Sequence, residues 1–168
     1  MLNERMQTEL NDQLNAEIYS SYLYLSMSAY FRSVRLSGFA HWMRVQAKEE
    51  LAHAMKFFDY IADNGKVILK PVDDPPTVWS SPLAAFEQVL RHEKKVTGLI
   101  NNLVRMSEEE GDTAAYGMLQ WFVKEQEEEE ESAEKVLRLI KSRAVTPSGL
   151  AELDAEMGRR PVPHSTGI

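Results

Sequence analysis

The chain contains no cysteine, which removes disulfide frameworks, thiolate zinc sites and cysteine nucleophiles from consideration. That fits a reducing cytosol. A basic excess is also missing: the 168 residues carry 19 Lys and Arg against 26 Asp and Glu, a net charge of −7. Without a basic stripe to meet phosphates, nucleic acid is not an expected partner, and the balance suits cations better than polyanions. No apolar run is long enough to span a bilayer, and the start shows no signal-peptide pattern, since MLNERMQTEL already reads as the first turns of a helix. A cytoplasmic protein without membrane contact is expected. Strand-like alternation is nearly absent.

Helical periodicity is what remains, in a chain that is 43% hydrophobic and 27% charged, ordinary for one soluble globular domain. Four long helices are predicted, over about Asn3 to Arg32, Ser37 to Asn64, Pro82 to Glu110 and Asp112 to Arg143, with a short fifth over Pro147 to Met157. Ser81, Asp112 and Thr146 stand at cap positions, Pro82 and Pro147 open helices, and Asn64-Gly65 and Gly111 close them. The first two helices, and the third and fourth, are joined by only a few residues, so each pair should form an antiparallel hairpin. The intervening KVILKPVDDPPTVWSS, residues 66 to 81, contains three prolines and cannot be helix. It is long enough to run the length of a bundle. The fold class read from this is all-α: a four-helix bundle with one long crossover between helices two and three, plus a short C-terminal fifth helix. Residues 1–145 form the bundle, and 146–168 the fifth helix and an irregular tail.

At about 100° per residue, each long helix has a definable apolar stripe. Met6, Leu10, Leu14, Ser21, Tyr24, Ser28 and Phe31 form the first, with Glu17 in its middle. Phe39, Met43, Ala47, Ala54, Phe57 and Ile61 form the second, with Glu50 central and His53 at its edge. Phe86, Val89, Leu90, Val96, Ile100 and Val104 flank Glu93. Ala115, Met118, Leu119, Phe122, Ala133, Val136, Leu137 and Ile140 flank Gln126 and Glu129. Every long helix therefore puts a carboxylate at the centre of its buried face, and the stripes contain no Lys or Arg to neutralise them.

Burying four unpaired carboxylates would cost roughly several kcal/mol each. Two divalent cations would balance them. Glu50 and His53, in EELAH, are spaced i, i+3 and can reach one ion from one helix face. Mostly carboxylate with a single imidazole suits iron or manganese better than structural zinc, and calcium would favour an all-oxygen loop. Glu50, on the stripe axis, is the natural bridge between two ions.

NAEIYSSYLYLSMSAYF at 15 to 31, RVQAKEELAHAMKFFDYI at 44 to 61, HEKKV around Glu93 and LQWFVKEQEEEE at 119 to 130 together resemble the ferritin family, specifically its haem-free bacterial and archaeal branch. The resemblance covers nearly the whole chain. It implies a ferritin-like bundle with a di-iron ferroxidase centre: one iron on Glu17, Glu50 and His53, the other on Glu50, Glu93 and Glu129, with Gln126 close by. It also implies a third iron site of Glu49, Glu125, Glu128 and Glu129. Tyr24, seven residues after Glu17, matches the family tyrosine beside the centre and acts either as a core aromatic or in a redox or hydrogen-bonding role. Trp121 is read as packing. Iron as Fe(II), O2 or H2O2 as oxidant, a stored hydrous ferric oxide and a homo-oligomeric shell of 24 subunits are the implied substrates, product and assembly.

Departures from related patterns narrow the expectation. Gln126-x-x-Glu129 replaces a second Glu-x-x-His pair, so the site is asymmetric. Leu51 stands where haem-binding bacterioferritins carry Met, so no haem is expected, and a chain without Cys cannot build the extra iron domain of rubrerythrins. Helix one carries Ile18, Tyr19, Tyr22, Leu23, Leu25 and Tyr30 around its other side, which points to a subunit interface. In VKEQEEEEESAEKV, residues 123 to 136, Glu127, Glu131 and Glu134 fall on the wet face and Glu130 at the margin, while Gln126 and Glu129 face inward and Glu125 and Glu128 lie on a flank. His164 reads as an exposed tail residue. The competing readings are a di-iron peroxidase devoted to oxidant removal and a metal-free helical interaction module.

Overall fold

The structure is a computed structural model and describes residues 1–162; His164 lies outside the described residues. It contains α1 (Glu4–Ser33), α2 (Ser37–Asn64), α3 (Pro82–Glu109), α4 (Thr113–Arg143) and α5 (Pro147–Met157). The chain is an all-α four-helix bundle with a long crossover and a short terminal helix. No helix among the described residues is long and apolar enough to cross a membrane.

Local chemistry sets the helix ends. Asn3, Ser81, Asp112 and Thr146 accept from the main-chain N–H groups of Met6, Ala84, Ala115 and Gly149, satisfying donors that the first turns of α1, α3, α4 and α5 leave open. The two hairpins close alike: Leu36 N–H reaches Phe31 O at 2.9 Å and Asp112 N–H reaches Ser107 O at 2.8 Å, the long bond of a Schellman turn. That turn needs one residue in the left-handed region, and Gly111 fills it after α3 (φ 65°), whereas Arg35 does so after α1 (φ 62°).

Antiparallel pairing follows from the short turns. Ser21 and Ser28 donate to Ala47 O at 2.7 Å and Ala40 O at 2.8 Å, so small residues bring α1 and α2 close. The crossover then runs back along α1. Ile68 N–H donates to Asn11 Oδ1 at 2.6 Å, Ser26 Oγ donates to Pro76 O at 2.5 Å, and Trp79 packs its ring edge on Tyr30 at 5.3 Å. Arriving at the far end, α3 starts beside Phe31 and Phe39, which contact Phe86, and finishes beside Arg5, which pairs with Glu109 and Glu110. It is thus antiparallel to α1 and parallel to α2. Tyr30 and Leu23, read from the sequence as interface residues, are buried within the chain itself; Tyr22 and Leu25 remain exposed on that side of α1.

The core has two apolar halves. One gathers Tyr24, Met27, Phe31, Phe39, Met43, Phe86, Val89 and Ile140, and the other Met6, Leu10, Leu14, Phe57, Ile61, Ile100, Leu119 and Phe122. The stripe residues are buried as expected, apart from Leu90, Val104 and Met118, which are half-buried. Between the halves lies a polar layer.

The short helix α5 is keyed to the start of α2. A Cβ on Gly38 would stand 1.6 Å from Asp154 O, so the backbones meet where only glycine fits. The α2 N-terminus has no side-chain cap of its own, and Asp154 Oδ1 accepts from Phe39 N–H at 2.9 Å instead. Asp154→Ala is expected to cost about 1 kcal/mol of stability and to speed amide hydrogen exchange in α5 and the first turn of α2; unchanged exchange there would refute this role.

Candidate metal centre

Each of the four bundle helices places one carboxylate in the polar layer. Glu17, Glu50, Glu93 and Glu129 are 1%, 2%, 1% and 7% exposed, and His53 is 4% exposed. Oxygen and nitrogen donors of Glu17, Glu50 and His53 lie within 4.8 Å of one another, as do those of Glu50, Glu93 and Glu129. Glu50 belongs to both groups. A third convergence joins His53, Glu125 and Glu129. All the residues assigned from the sequence to the two-ion centre therefore meet.

Hydrogen bonds aim these groups. His53 Nδ1 stands 3.3 Å from Glu50 Oε2, and its Nε2 stands 3.6 Å from Glu125 Oε1. Gln126 donates its amide to Glu93 Oε2 at 3.2 Å, and the Tyr24 hydroxyl donates to Glu93 Oε1. Tyr24 is fully buried and bonded to a member of the layer, which favours a hydrogen-bonding role over simple packing. Trp121 packs its ring edge on His53 at 5.5 Å, so its packing acts on the centre, and Lys56 covers its face at 4.2 Å.

The outer acidic residues behave differently. Glu125 turns toward His53. Glu49 instead pairs with Arg160 at 2.5 Å, and Glu128 lies mostly in solvent beside Lys124 on its own helix, at 3.9 Å. The four residues given to a third iron by resemblance are thus not all gathered: Glu125 and Glu129 converge, Glu49 and Glu128 do not. Glu130 is half-buried and accepts from Thr97 at 2.6 Å, Glu134 makes surface ion pairs with Lys94 and Arg138, and Glu127 and Glu131 are exposed.

Electrostatics follow from burial. It is the largest influence on Glu17 and Glu129 and pushes each up to about 8, with the Glu50 charge adding to the effect. Burial and the Glu50 and Glu129 charges drive Glu93 well above the carboxylate range. Burial also pushes Glu50 upward, but hydrogen bonding to His53, the His53 charge and the Gln46 amide outweigh it and hold Glu50 below 4.5. Burial alone would lower His53; its bonds to Glu125 and Glu50 overcome this and raise it to about 11. At neutral pH the layer is therefore a Glu50–His53 ion pair among protonated carboxyls.

One buried oxygen of the layer is left open. Among the described residues Glu17 Oε2 has no hydrogen-bond partner, although buried oxygens of this kind are almost always satisfied. An acceptor-rich, donor-poor layer of four carboxylates and one imidazole offers the oxygen and nitrogen donors that hard or borderline divalent cations take.

A ferritin-like domain family model matches residues 7–143. The chain belongs to the ferritin family. It is 41% identical over 161 residues to a bacterial non-heme ferritin of Bacteroides fragilis, covering 95% of this chain and 100% of that protein. A bacterial non-heme ferritin of Escherichia coli O157:H7 is 34% identical over 158 residues, 94% of this chain and 96% of that one. Among solved structures, an open pore ferritin from the hyperthermophilic archaeon Archaeoglobus fulgidus superimposes with a TM-score of 0.94 at 50% identity, covering 95% of this chain and 98% of that one.

Sequence reasoning missed the second rank of residues. Gln13 donates to Glu17 at 2.7 Å, and Gln46 donates to Glu50 at 3.1 Å and Glu129 at 2.6 Å. A signal existed: each glutamine stands four residues before the glutamate of its own helix, hence on the same face. Nothing in the sequence marked His92, whose Nε2 lies 2.7 Å from Ser20 Oγ, or Arg160.

The protonation pattern fixes a pH dependence. Between 4.5 and about 8, the folded state holds protons on Glu17 and Glu129 that the unfolded chain has released, so stability falls as pH rises through that window. The proton on His53 acts in the same direction: its contribution is full below 6.5 and lost toward about 11. The thermal midpoint of metal-free protein should fall steadily from pH 5 to pH 9, and saturating Zn²⁺ should remove the fall by replacing the protons; a midpoint that rises over this range would contradict the assignment.

Proposed function

We propose that this protein is a cytoplasmic iron-storage ferritin. It binds two Fe²⁺ in the polar layer of each subunit, oxidises them, and stores Fe³⁺ as a hydrous ferric oxide inside a hollow homo-oligomeric shell, of 24 subunits by analogy with the family. The observation that carries this reading is the sharing of Glu50 between two buried donor groups, one completed by Glu17 and His53, the other by Glu93 and Glu129.

The residues divide the work. Glu50 is already ionised and held by His53 and Gln46, so it offers the first ion a charged bridge without prior proton loss. Glu17 and Glu129 ionise as cations arrive, each losing the proton that burial made it keep. His53 must lose the proton on Nδ1, the nitrogen that faces Glu50, to act as a ligand there, while Glu125, 3.6 Å from Nε2, keeps the other N–H directed outward. Tyr24 and Gln126 hold opposite oxygens of Glu93. Hard carboxylate oxygens favour Fe³⁺ over Fe²⁺, which promotes oxidation. The balance is simple: two Fe²⁺ give one electron each to O2, which leaves with two protons as H2O2, or to H2O2, which leaves with two protons as two waters. The exposed Tyr22, Leu25, Leu69 and Val78 supply apolar area for subunit contact.

Anaerobic Fe²⁺ addition followed by O2 should give the near-ultraviolet absorbance of ferric product in wild type. Glu50→Ala should slow its appearance at least a hundredfold, and an unaltered variant would end the assignment. Calorimetry of Zn²⁺ loading in two buffers of different ionisation enthalpy should record proton release near neutral pH; none released would contradict the protonation pattern. Iron retained per shell, measured against peroxide consumed, separates storage from oxidant removal.

A further inference from the structure

The segment after α5 delivers a cation to the edge of the centre. Arg160 Nη2 donates to Glu49 Oε2 at 2.5 Å and to Gln46 Oε1 at 2.9 Å, and Nη1 reaches Trp42 O at 3.3 Å. The guanidinium also lies 4.2 Å over the Trp42 ring. Its own main-chain oxygen is 2.8 Å from His41 Nε2. This position is built: the Gly38–Asp154 contact and the Asp154 bond to Phe39 register α5 on α2, and Arg160 follows only three residues after α5 ends.

Arg160 acts on the centre through Gln46. A guanidinium can only donate, so it must take the amide oxygen of Gln46 and turn the NH2 group inward. There that group donates to Glu50 and Glu129. Arg160 also neutralises Glu49, the flank carboxylate nearest to Glu50 in sequence.

We infer that Arg160 is the built-in cation of the Glu49 flank, and that a third metal ion binding there must displace its guanidinium. This rests on the proposed function together with the third iron site that the resemblance gives to Glu49, Glu125, Glu128 and Glu129, of which Glu125 and Glu129 converge with His53 here. The arginine makes that site conditional: the third ion competes with a tethered charge, while the first two do not. The displaced side chain has room in an adjoining groove of about 220 Å³ lined by Trp42, Val136, Leu139, Glu156 and Met157. A weaker third site suits transfer, since an ion that competes for its ligands leaves them more readily.

The test is calorimetric titration of metal-free protein with Zn²⁺, which adds no redox step. Wild type should bind two ions tightly and a third more weakly per subunit. Arg160→Gln should tighten the third by about tenfold, the scale of losing one charge-assisted hydrogen-bonded competitor, with the first two changed less than threefold. Arg160→Lys, which keeps the charge without the fork, should lie between. In Trp79→Phe protein, tryptophan fluorescence should step with the third equivalent, and either Trp42→Phe or Arg160→Gln should abolish the step. An unchanged third affinity in both Arg160 variants, or no third equivalent in any of them, overturns the role of Arg160 while leaving the two-ion centre standing. Absence of the two tight ions from wild type would instead overturn the proposed function.

Discussion

Four carboxyl groups share the middle of this bundle with one imidazole and, among the described residues, no buried lysine or arginine, and the rest of the structure is arranged around that imbalance. Moving Glu17 from 4.5 to about 8 means that its ionised form is disfavoured by roughly 5 kcal/mol. A surface ion pair contributes at most about 1 kcal/mol, and whole domains are stable by only about 5–15 kcal/mol. No rearrangement of exposed charges could offset such a layer in its ionised state. The metal-free protein meets the problem with protons and with one internal pair, Glu50 and His53; cations are the other solution.

The two apolar halves make the layer usable. Phe31, Phe39 and Phe86 on one side, and Phe57, stacked on Phe122 at 4.2 Å, on the other, fix the four helices so that their glutamates converge without needing the metal to gather them. Buried apolar residues flank the layer at both ends, and a low-dielectric surrounding strengthens the interactions inside. Gln13, Gln46 and Gln126 then hold individual carboxylate oxygens; both oxygens of Glu50 and Glu93 are engaged, whereas Glu17 keeps Oε2 free.

Helical period made much of this legible in advance. Glu17, Glu50, Glu93, Gln126 and Glu129 point inward because 100° per residue leaves them no other direction once the apolar stripe is drawn. Capping chemistry fixed the ends of α3, α4 and α5 just as directly. The flank was harder: Glu49 and Glu128 sit at angles where either a site or solvent is open to a long side chain; a tertiary contact drew Glu49 to Arg160, while Glu128 stays in solvent beside Lys124 one turn away on its own helix. Arg160 itself was invisible, since nothing local dictates where residues beyond the last helix lie; its place is set by the Gly38–Asp154 contact 116 positions apart along the chain. The outer face of α1 was also only half read, because the crossover, not another subunit, covers Tyr30.

The central claim, that this layer exists to hold two cations bridged by Glu50, is tested most directly by iron-edge anomalous diffraction from crystals soaked anaerobically in Fe²⁺. The result expected is two peaks per subunit between the apolar halves, one among Glu17, Glu50 and His53 and the other among Glu50, Glu93 and Glu129. Iron confined to surface carboxylates, with the layer empty and its hydrogen bonds unchanged, would contradict it.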